Sequence, residues 1–211
     1  MSSDVLECMD RVARQLVEMA APVRFTLASS IGDRTAVYRL RYRVARDEGW
    51  LQSDALPDAL EKDTFDDTAI HLVGWDDGCL AATARLVVPH PGARLPTEEA
   101  FELTIVPPGE VVDLGRGTVE PAYRGRGHGI FFALLATAWL EARARGFTQL
   151  CGTTAPSMLP HYRAMGFHVE VLGEPRHWWG HLCVPIKMDG ARGCRELLQA
   201  LAARVASSGA S

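Results

Sequence analysis

A glycine-rich basic turn in the middle of the chain has the composition of an anion-binding loop. It consists of Arg124, Gly125, Arg126, Gly127, His128 and Gly129. Glycines let backbone N–H groups approach a ligand closely, and a helix start adds unpaired N–H groups and the positive end of the helix dipole. The nearly all-apolar run 130–140 that follows predicts such a helix. We therefore expect the turn to hold an anion, most often a phosphate.

The turn does not match the sequence motifs of two common phosphate-binding loops. A nucleotide P-loop requires a lysine followed by serine or threonine, and the chain has no such pair. The dinucleotide pattern requires the G-x-G-x-x-G spacing, which glycines at 125, 127 and 129 do not give. The pattern that fits is Arg-x-x-Gly-x-Gly after a strand, which the sequence predicts at 111–119.

This pattern, with a second one downstream, resembles the GNAT acyltransferase superfamily. The second is Tyr162, three residues, then Gly166-Phe167, separated from the first by one helix and one strand. The resemblance implies that Val119 and residues 124–129 hold the phosphopantetheine or pyrophosphate of a thioester donor. It also implies that N–H groups near 117–119 polarise the thioester carbonyl. Tyr162 would then donate a proton toward the leaving sulfur.

The region upstream of the turn is similar to a narrower family, the acyl-homoserine-lactone (autoinducer) synthases. The likeness covers roughly 37–188, and N-acyl amino acid synthases are a comparable match. Ala45 and Asp113 replace a phenylalanine and a glutamate of the autoinducer pattern, and the spacing from Arg41 to Trp50 is one residue shorter. The resemblance implies that Asp113 orients or deprotonates the acceptor amine. It implies substrate contacts for Arg41, Trp50, Asp63, Asp66, Arg85, Phe101 and Arg116.

Structural roles are open for several of these residues. Trp50 and Phe101 could be core aromatics, and Asp63 and Asp66 could cap a helix or form a turn. Arg41 stands in a run of arginines that is typical of a solvated face. Arg116 could pair with Asp113, although such a pair on a central strand is costly unless it is functional.

The elements that carry these residues predict one α/β domain over 1–211. Its core is a GNAT-type mixed, mostly antiparallel sheet flanked by helices. An N-terminal helix occupies 1–22, and a C-terminal helix with a frayed tail occupies 190–211. Further helices are predicted at 33–46, 95–101, 130–145 and 156–165, and strands at 23–28, 69–75, 111–119, 147–152, 167–172 and 181–188.

Composition narrows the functional classes. The net charge of −4 offers no general attraction for nucleic acid or membrane. No apolar run reaches the length of a membrane span, and the acidic N-terminus is unlike a signal peptide. Five scattered cysteines indicate reduced thiols in a cytoplasm, and the histidines form no zinc motif, so we expect no metal.

The expected function is N-acyl transfer from acyl carrier protein or acyl-CoA to an amino-acid-like amine. The co-substrate is a phosphopantetheine or coenzyme A thioester, with no permanently bound cofactor. Two alternatives stay open: an acetyl-CoA-dependent acetyltransferase of small molecules and a non-catalytic binding module. A homodimer is also open. A medium-to-long acyl chain would follow Phe101, Trp139, Leu150 and the pair Trp178-Trp179, and Arg124, Arg126 and Arg143 would meet an acidic carrier surface.

Overall fold

The computed structural model describes residues 2–51, 56, 58–125 and 129–208. Its six α-helices within these ranges are α1 Ser2–Met19, α2 Ile31–Asp47, α3 Pro96–Phe101, α4 Gly129–Ala144, α5 Leu159–Ala164 and α6 Gly190–Ser208. Its eight strands are β1 Arg24–Leu27, β2 Ile70–Asp76, β3 Cys79–Val87, β4 Val111–Val119, β5 Gln149–Thr154, β6 His168–Val171, β7 Arg176–Trp178 and β8 His181–Asp189.

One sheet organises the described part of the chain. Its strand order is β1-β2-β3-β4-β5-β8-β6, and β7 forms a hairpin with β8. Every pairing is antiparallel except the one between β4 and β5, which is parallel. The predicted mixed, mostly antiparallel sheet flanked by helices is therefore confirmed.

The two faces of the sheet carry different helices. On β3, Ala84 and Leu86 are buried in the core cluster that includes α1 and α4. Between them, Arg85 points the other way because side chains alternate along a strand. It is buried near Arg41 of α2 and ion-paired with Asp66. The face with α4 is consequently apolar, whereas the face with α2 contains a buried set of charges.

Local sequence explains where the elements begin and end. Ser30 and Asp33 form a reciprocal capping box, so α2 starts at Ile31, two residues before the predicted start. Strand β5 begins at Gln149 and not at 147, because the N–H of Phe147 still bonds to the helix carbonyl of Ala142. The predicted helix 156–165 divides into a 3₁₀ turn and α5.

Within the described residues, no helix is both long and apolar enough to cross a bilayer. The prediction of a single domain over the whole chain stays a prediction.

Candidate active site

Strands β4 and β5 separate shortly after they begin, and a cavity lies between them. Their last parallel pair joins Asp113 to Cys151. Beyond it, residues 114–119 and 152–155 line a cavity of about 790 Å³. A Cβ on Gly152 would lie 2.4 Å from a carbonyl oxygen of β4, so this position requires glycine. The unpaired strand edges therefore give a ligand access to backbone hydrogen-bonding groups from both faces of the sheet.

The turn after β4 contributes to the lining of this cavity. The Nε of Arg124 donates to the carbonyl oxygen of Val119 at 2.9 Å, and its guanidinium is ion-paired with Glu48. Val119, Arg124 and Gly125 line the cavity, and α4 starts at Gly129. Outside the described residues lie the remaining predicted loop residues, Arg126, Gly127 and His128.

Tyr162 of α5 also lines the cavity. Its hydroxyl is 3.2 Å from the Oγ1 of Thr154, and the residue is 8% exposed. Burial raises the pKa of the Tyr162 phenol, against a smaller opposite effect of the Thr154 hydrogen bond. A buried phenol that stays protonated is suited to donating a proton or a hydrogen bond.

A buried ionic network lies on the face of the sheet that carries α2. Arg41 forms a two-pronged contact with Asp66, Nη1 to Oδ1 at 2.8 Å and Nη2 to Oδ2 at 3.1 Å. Its Nε donates to Glu61. Burial alone would raise the pKa of Asp66, but Arg41 and then Arg85 outweigh it and lower that pKa to about 2. Arg41 is thus a buried, paired residue, and the solvated-face interpretation of this arginine is wrong.

Two further arginines complete the network. Arg85 Nη1 lies 2.5 Å from Asp63 Oδ1. Arg116 donates from Nε to Glu61 Oε1 at 3.1 Å and from Nη2 to Asp63 Oδ2 at 3.0 Å. Asp63 also caps the 3₁₀ helix Thr64–Asp67 through the N–H of Phe65. Three guanidinium groups therefore face three carboxylates, so the network is balanced in charge without a ligand.

Arg116 stands at a β-bulge in β4. Thr83 pairs with Thr118, and Arg85 pairs with Gly115, so two residues of β4 oppose one residue of β3. Arg116 has φ 55°, a left-handed conformation that is unfavourable for a residue with a Cβ. The bulge brings its side chain to the cavity, where its guanidinium carbon lies 4.1 Å from the ring centre of Trp179.

The β7–β8 hairpin closes this side of the cavity. Trp178 pairs with His181, and the two-residue turn between them is Trp179-Gly180, with φ 53° and 73°. A Cβ on Gly180 would lie 2.4 Å from the Cα of Trp50, so the turn packs directly on that segment. The His181 ring packs against the Trp50 ring, with centroids 4.9 Å apart and the planes tilted by 37°. Trp50 and both hairpin tryptophans line the cavity.

Several predicted site residues lie away from the cavity surface. Asp113 is buried and accepts the backbone N–H of Thr97 at 2.8 Å. Burial raises the pKa of Asp113. Phe101 lies beneath Arg176, whose guanidinium carbon is 4.4 Å from its ring centre. Neither Asp113 nor Phe101 is among the described residues that line the cavity, and the same holds for Asp63, Asp66 and Arg85.

Three other expectations are corrected by packing. Arg116 pairs with Glu61 and Asp63 and not with Asp113. Trp139 donates to Asp10 of α1 at 2.7 Å and lies in the core, so it does not line an acyl path. Arg143 pairs with the same Asp10, near the end of α4 that is remote from the phosphate loop.

Glu61, Thr154 and His181 line the cavity but were not singled out as site residues from the sequence. Glu61 stands in the predicted Asp63 motif, but only the buried bonds to Arg41 and Arg116 reveal its role. Thr154 and His181 carry no motif of their own, whereas Trp179 was named from the sequence only as part of an acyl path. The one local sequence signal was the turn Trp179-Gly180. Two-residue hairpin turns favour Asn-Gly, so a tryptophan at the first turn position is unusual.

The fold and the divided strands define a GNAT-type acyltransferase. Residues 36–186 match the family model described as N-acyl amino acid synthase FeeM, so the chain belongs to that family. The chain is therefore an enzyme of N-acyl transfer from a thioester donor to an amine.

Solved structures agree with this fold. TofI, solved with an inhibitor and MTA, is 25% identical, with 79% of this chain and 90% of that chain covered and a TM-score of 0.63. The CoA-dependent acyl-homoserine lactone synthase BjaI is 20% identical over 83% and 86% of the two chains, with a TM-score of 0.65. FeeM from uncultured soil microbes is 12% identical over 81% and 92%, with a TM-score of 0.61. No curated protein sequence matches the chain.

Proposed function

We propose that this enzyme transfers a medium-to-long acyl chain to the amine of an acceptor that also carries a carboxylate, such as an α-amino acid. The observation that carries the proposal is the cavity between β4 and β5, whose lining includes both Arg124 and Gly125 of the glycine-rich turn and the pair Arg116 and Trp179. A donor and an acceptor can therefore approach one point between the strands from opposite faces.

The donor is proposed to lie along the loop and the start of α4. Arg124 and the helix N-terminus attract the phosphates of a pantetheine arm. Unpaired N–H groups of β4, around 117–119, would hold the thioester carbonyl and the negative charge that develops on its oxygen. Coenzyme A and acyl carrier protein both present this arm. The structure of BjaI with isopentyl-CoA supports coenzyme A as the donor source for that relative.

The size and lining of the cavity support a chain longer than acetyl. About 790 Å³ is within the range of pockets for drug-sized ligands. Its walls include the apolar side chains of Leu134, Leu135, Ile186 and Met188. Each buried CH₂ group contributes about 0.8 kcal/mol, so a chain that fills this space gains affinity with length.

The acceptor is proposed to bind on the α2 side. Arg116 uses Nε and Nη2 within the network, and its Nη1 makes no hydrogen bond among the described residues. The side chain is 19% exposed, and its guanidinium carbon lies over the Trp179 ring. A carboxylate is the natural partner of a guanidinium held in this way. Arg85, Asp63 and Asp66 lie outside the cavity lining, and Arg41 is buried at its wall. All four are proposed to fix Arg116 and Glu61 in place.

Tyr162 is proposed to protonate the leaving thiolate. Its neutral hydroxyl lies beside Thr154, the last residue of β5, and both residues line the cavity. Asp113 is buried and is not among the described residues that line the cavity, so we do not propose that it contacts the amine directly. Its proposed role is to hold the backbone of α3 at Thr97.

The experiment is a turnover comparison of acetyl-CoA, decanoyl-CoA and decanoyl acyl carrier protein with a panel of amino acids, read by mass spectrometry. We expect N-decanoyl amino acids from at least one long-chain donor and little N-acetyl product. A preference for acetyl-CoA would overturn the chain-length proposal and favour a small-molecule acetyltransferase. Reaction with simple alkylamines as readily as with amino acids would overturn the carboxylate proposal.

A further inference from the structure

His181 is the first residue of β8, and its side chain lines the cavity on the acceptor side. Its ring is fixed by two contacts: the packing against Trp50 and a contact of Nδ1 with the carbonyl oxygen of Trp179 at 2.9 Å. An imidazole held on one edge and one face has little freedom to turn. The orientation of the other edge, which bears Nε2, is therefore set by the hairpin.

The contact with Trp179 also sets the tautomer of His181. A carbonyl oxygen only accepts hydrogen bonds, so Nδ1 carries the hydrogen and donates it. In the neutral ring Nε2 then keeps its lone pair. Nε2 makes no hydrogen bond among the described residues, and the neutral His181 ring thus has an available basic nitrogen.

The other acids and bases of the cavity are already engaged. Both oxygens of Glu61 accept from arginines, and Glu48 is paired with Arg124. Tyr123 donates to Asp76 at 2.9 Å. Burial raises the pKa of the Cys183 thiol to about 11, which leaves it protonated at neutral pH. His181 is hydrogen-bonded directly to Trp179, whose ring lies on Arg116, and among the described residues its Nε2 is not engaged.

We propose that Nε2 of His181 is the general base that takes a proton from the acceptor nitrogen during acyl transfer. Nε2 takes one proton from the acceptor ammonium, and the freed nitrogen lone pair forms the N–C bond to the thioester carbonyl carbon. The nitrogen then loses its second proton to water. The C–S bond breaks, and the thiolate takes a proton from Tyr162. Proton exchange with water returns the imidazolium and the tyrosinate to their starting states. The inference rests on the proposed function, because it requires an amine acceptor on this face.

The test is the variant His181→Asn, whose amide nitrogen can still donate to the Trp179 carbonyl while the basic nitrogen is removed. The variant is assayed with the amino acid that the wild-type enzyme uses best and with the aminooxy acid of the same side chain. The aminooxy nitrogen is far less basic and is unprotonated at neutral pH, so it depends less on a base. We expect kcat/KM to fall about 100-fold or more with the amino acid and much less with the aminooxy acid.

A matched control is His177→Asn on the same hairpin. His177 is exposed and is not among the described residues that line the cavity, so both acceptors should react as with the wild type. His181→Gln provides a second variant if His181→Asn does not fold, as judged by its thermal melting. An equal loss with both acceptors, or no loss, would overturn the role of His181 and leave only a packing role against Trp50. Absence of any N-acyl product from the wild-type enzyme would instead overturn the proposed function.

Discussion

Arg116 and Trp179 contact each other while both hold a left-handed backbone conformation. The guanidinium carbon lies 4.1 Å from the ring centre, and the φ angles are 55° and 53°. Such a conformation costs about 1–2 kcal/mol for a residue with a Cβ. Two strained residues from different elements that meet in the wall of a cavity indicate selection for a site, because strain of this kind persists at functional positions.

Arg116→Lys tests the acceptor contact. Lysine keeps the charge but loses the planar fork, so we expect acceptor KM to rise about tenfold, the loss typical of one charged hydrogen bond. Donor KM should not change. Arg176→Lys is the matched control, because Arg176 also stacks on an aromatic ring but lies outside the described cavity lining. Equal effects of the two substitutions on acceptor KM would contradict the assignment.

Trp179→Asn and Trp179→Ala separate backbone strain from the ring contact. Both remove the ring, so both should weaken acceptor binding to a similar degree. Asparagine tolerates a left-handed turn better than alanine. We therefore expect the asparagine variant to melt at the higher temperature, by an amount that corresponds to about 0.5–1 kcal/mol, within the range for unfavourable backbone conformations. Identical melting temperatures would show that the turn strain is unimportant.

Tyr162→Phe tests proton donation to the thiolate. The ring and its packing remain, so the fold should persist while kcat falls about tenfold or more. Thr154→Val removes the hydroxyl partner but keeps the phenol, and a smaller loss is expected. Stopped-flow or steady-state measurement of thiol release at saturating substrates distinguishes the two. Full activity of Tyr162→Phe would mean that the residue only packs.

The lowered pKa of Asp66 predicts that the folded protein loses stability in acid. Its folded pKa of about 2 is below the ordinary 3.8, so the stabilisation is present above pH 4 and is lost as pH falls toward 2. Asp66→Asn should lower the free energy of unfolding at pH 7 by about 2 kcal/mol or more, because it also leaves Arg41 poorly paired in the interior.

The measurement for Asp66 is urea unfolding of wild type and variant from pH 7 to pH 3. The gap between them should narrow as pH falls, since protonated aspartic acid resembles asparagine. Asp67→Asn, at the exposed neighbouring position, should behave as wild type. A gap that stays constant over this range would contradict the ionic network as the source of stability.

The sequence predicted the elements that have a strong local signal. Strand β4 was predicted with its observed bounds, because Glu120-Pro121 ends it sharply before the glycine-rich turn. The gap between β4 and β5 has no such local signal. The spacing of apolar residues in the sequence does not indicate that two parallel strands stop pairing after Asp113 and Cys151.

The arrangement of charges was harder to predict. Arg41, Asp63, Asp66, Arg85 and Arg116 were all named, but as groups facing the substrate. The structure pairs them with one another and with Glu61, across 20 or more residues of sequence for each pair. Such pairing depends on tertiary contacts, and local spacing does not encode which carboxylate an arginine meets.

The central claim is that one cavity joins a pantetheine thioester to an amine that bears a carboxylate. The most direct measurement mixes purified enzyme, decanoyl-CoA or decanoyl acyl carrier protein, and a ¹⁵N-labelled amino acid, and follows free thiol and labelled product together. The account predicts equal amounts of thiol and of an N-decanoyl amino acid that retains the label. Thiol release with only free decanoate, or labelled product from acetyl-CoA alone, would contradict it.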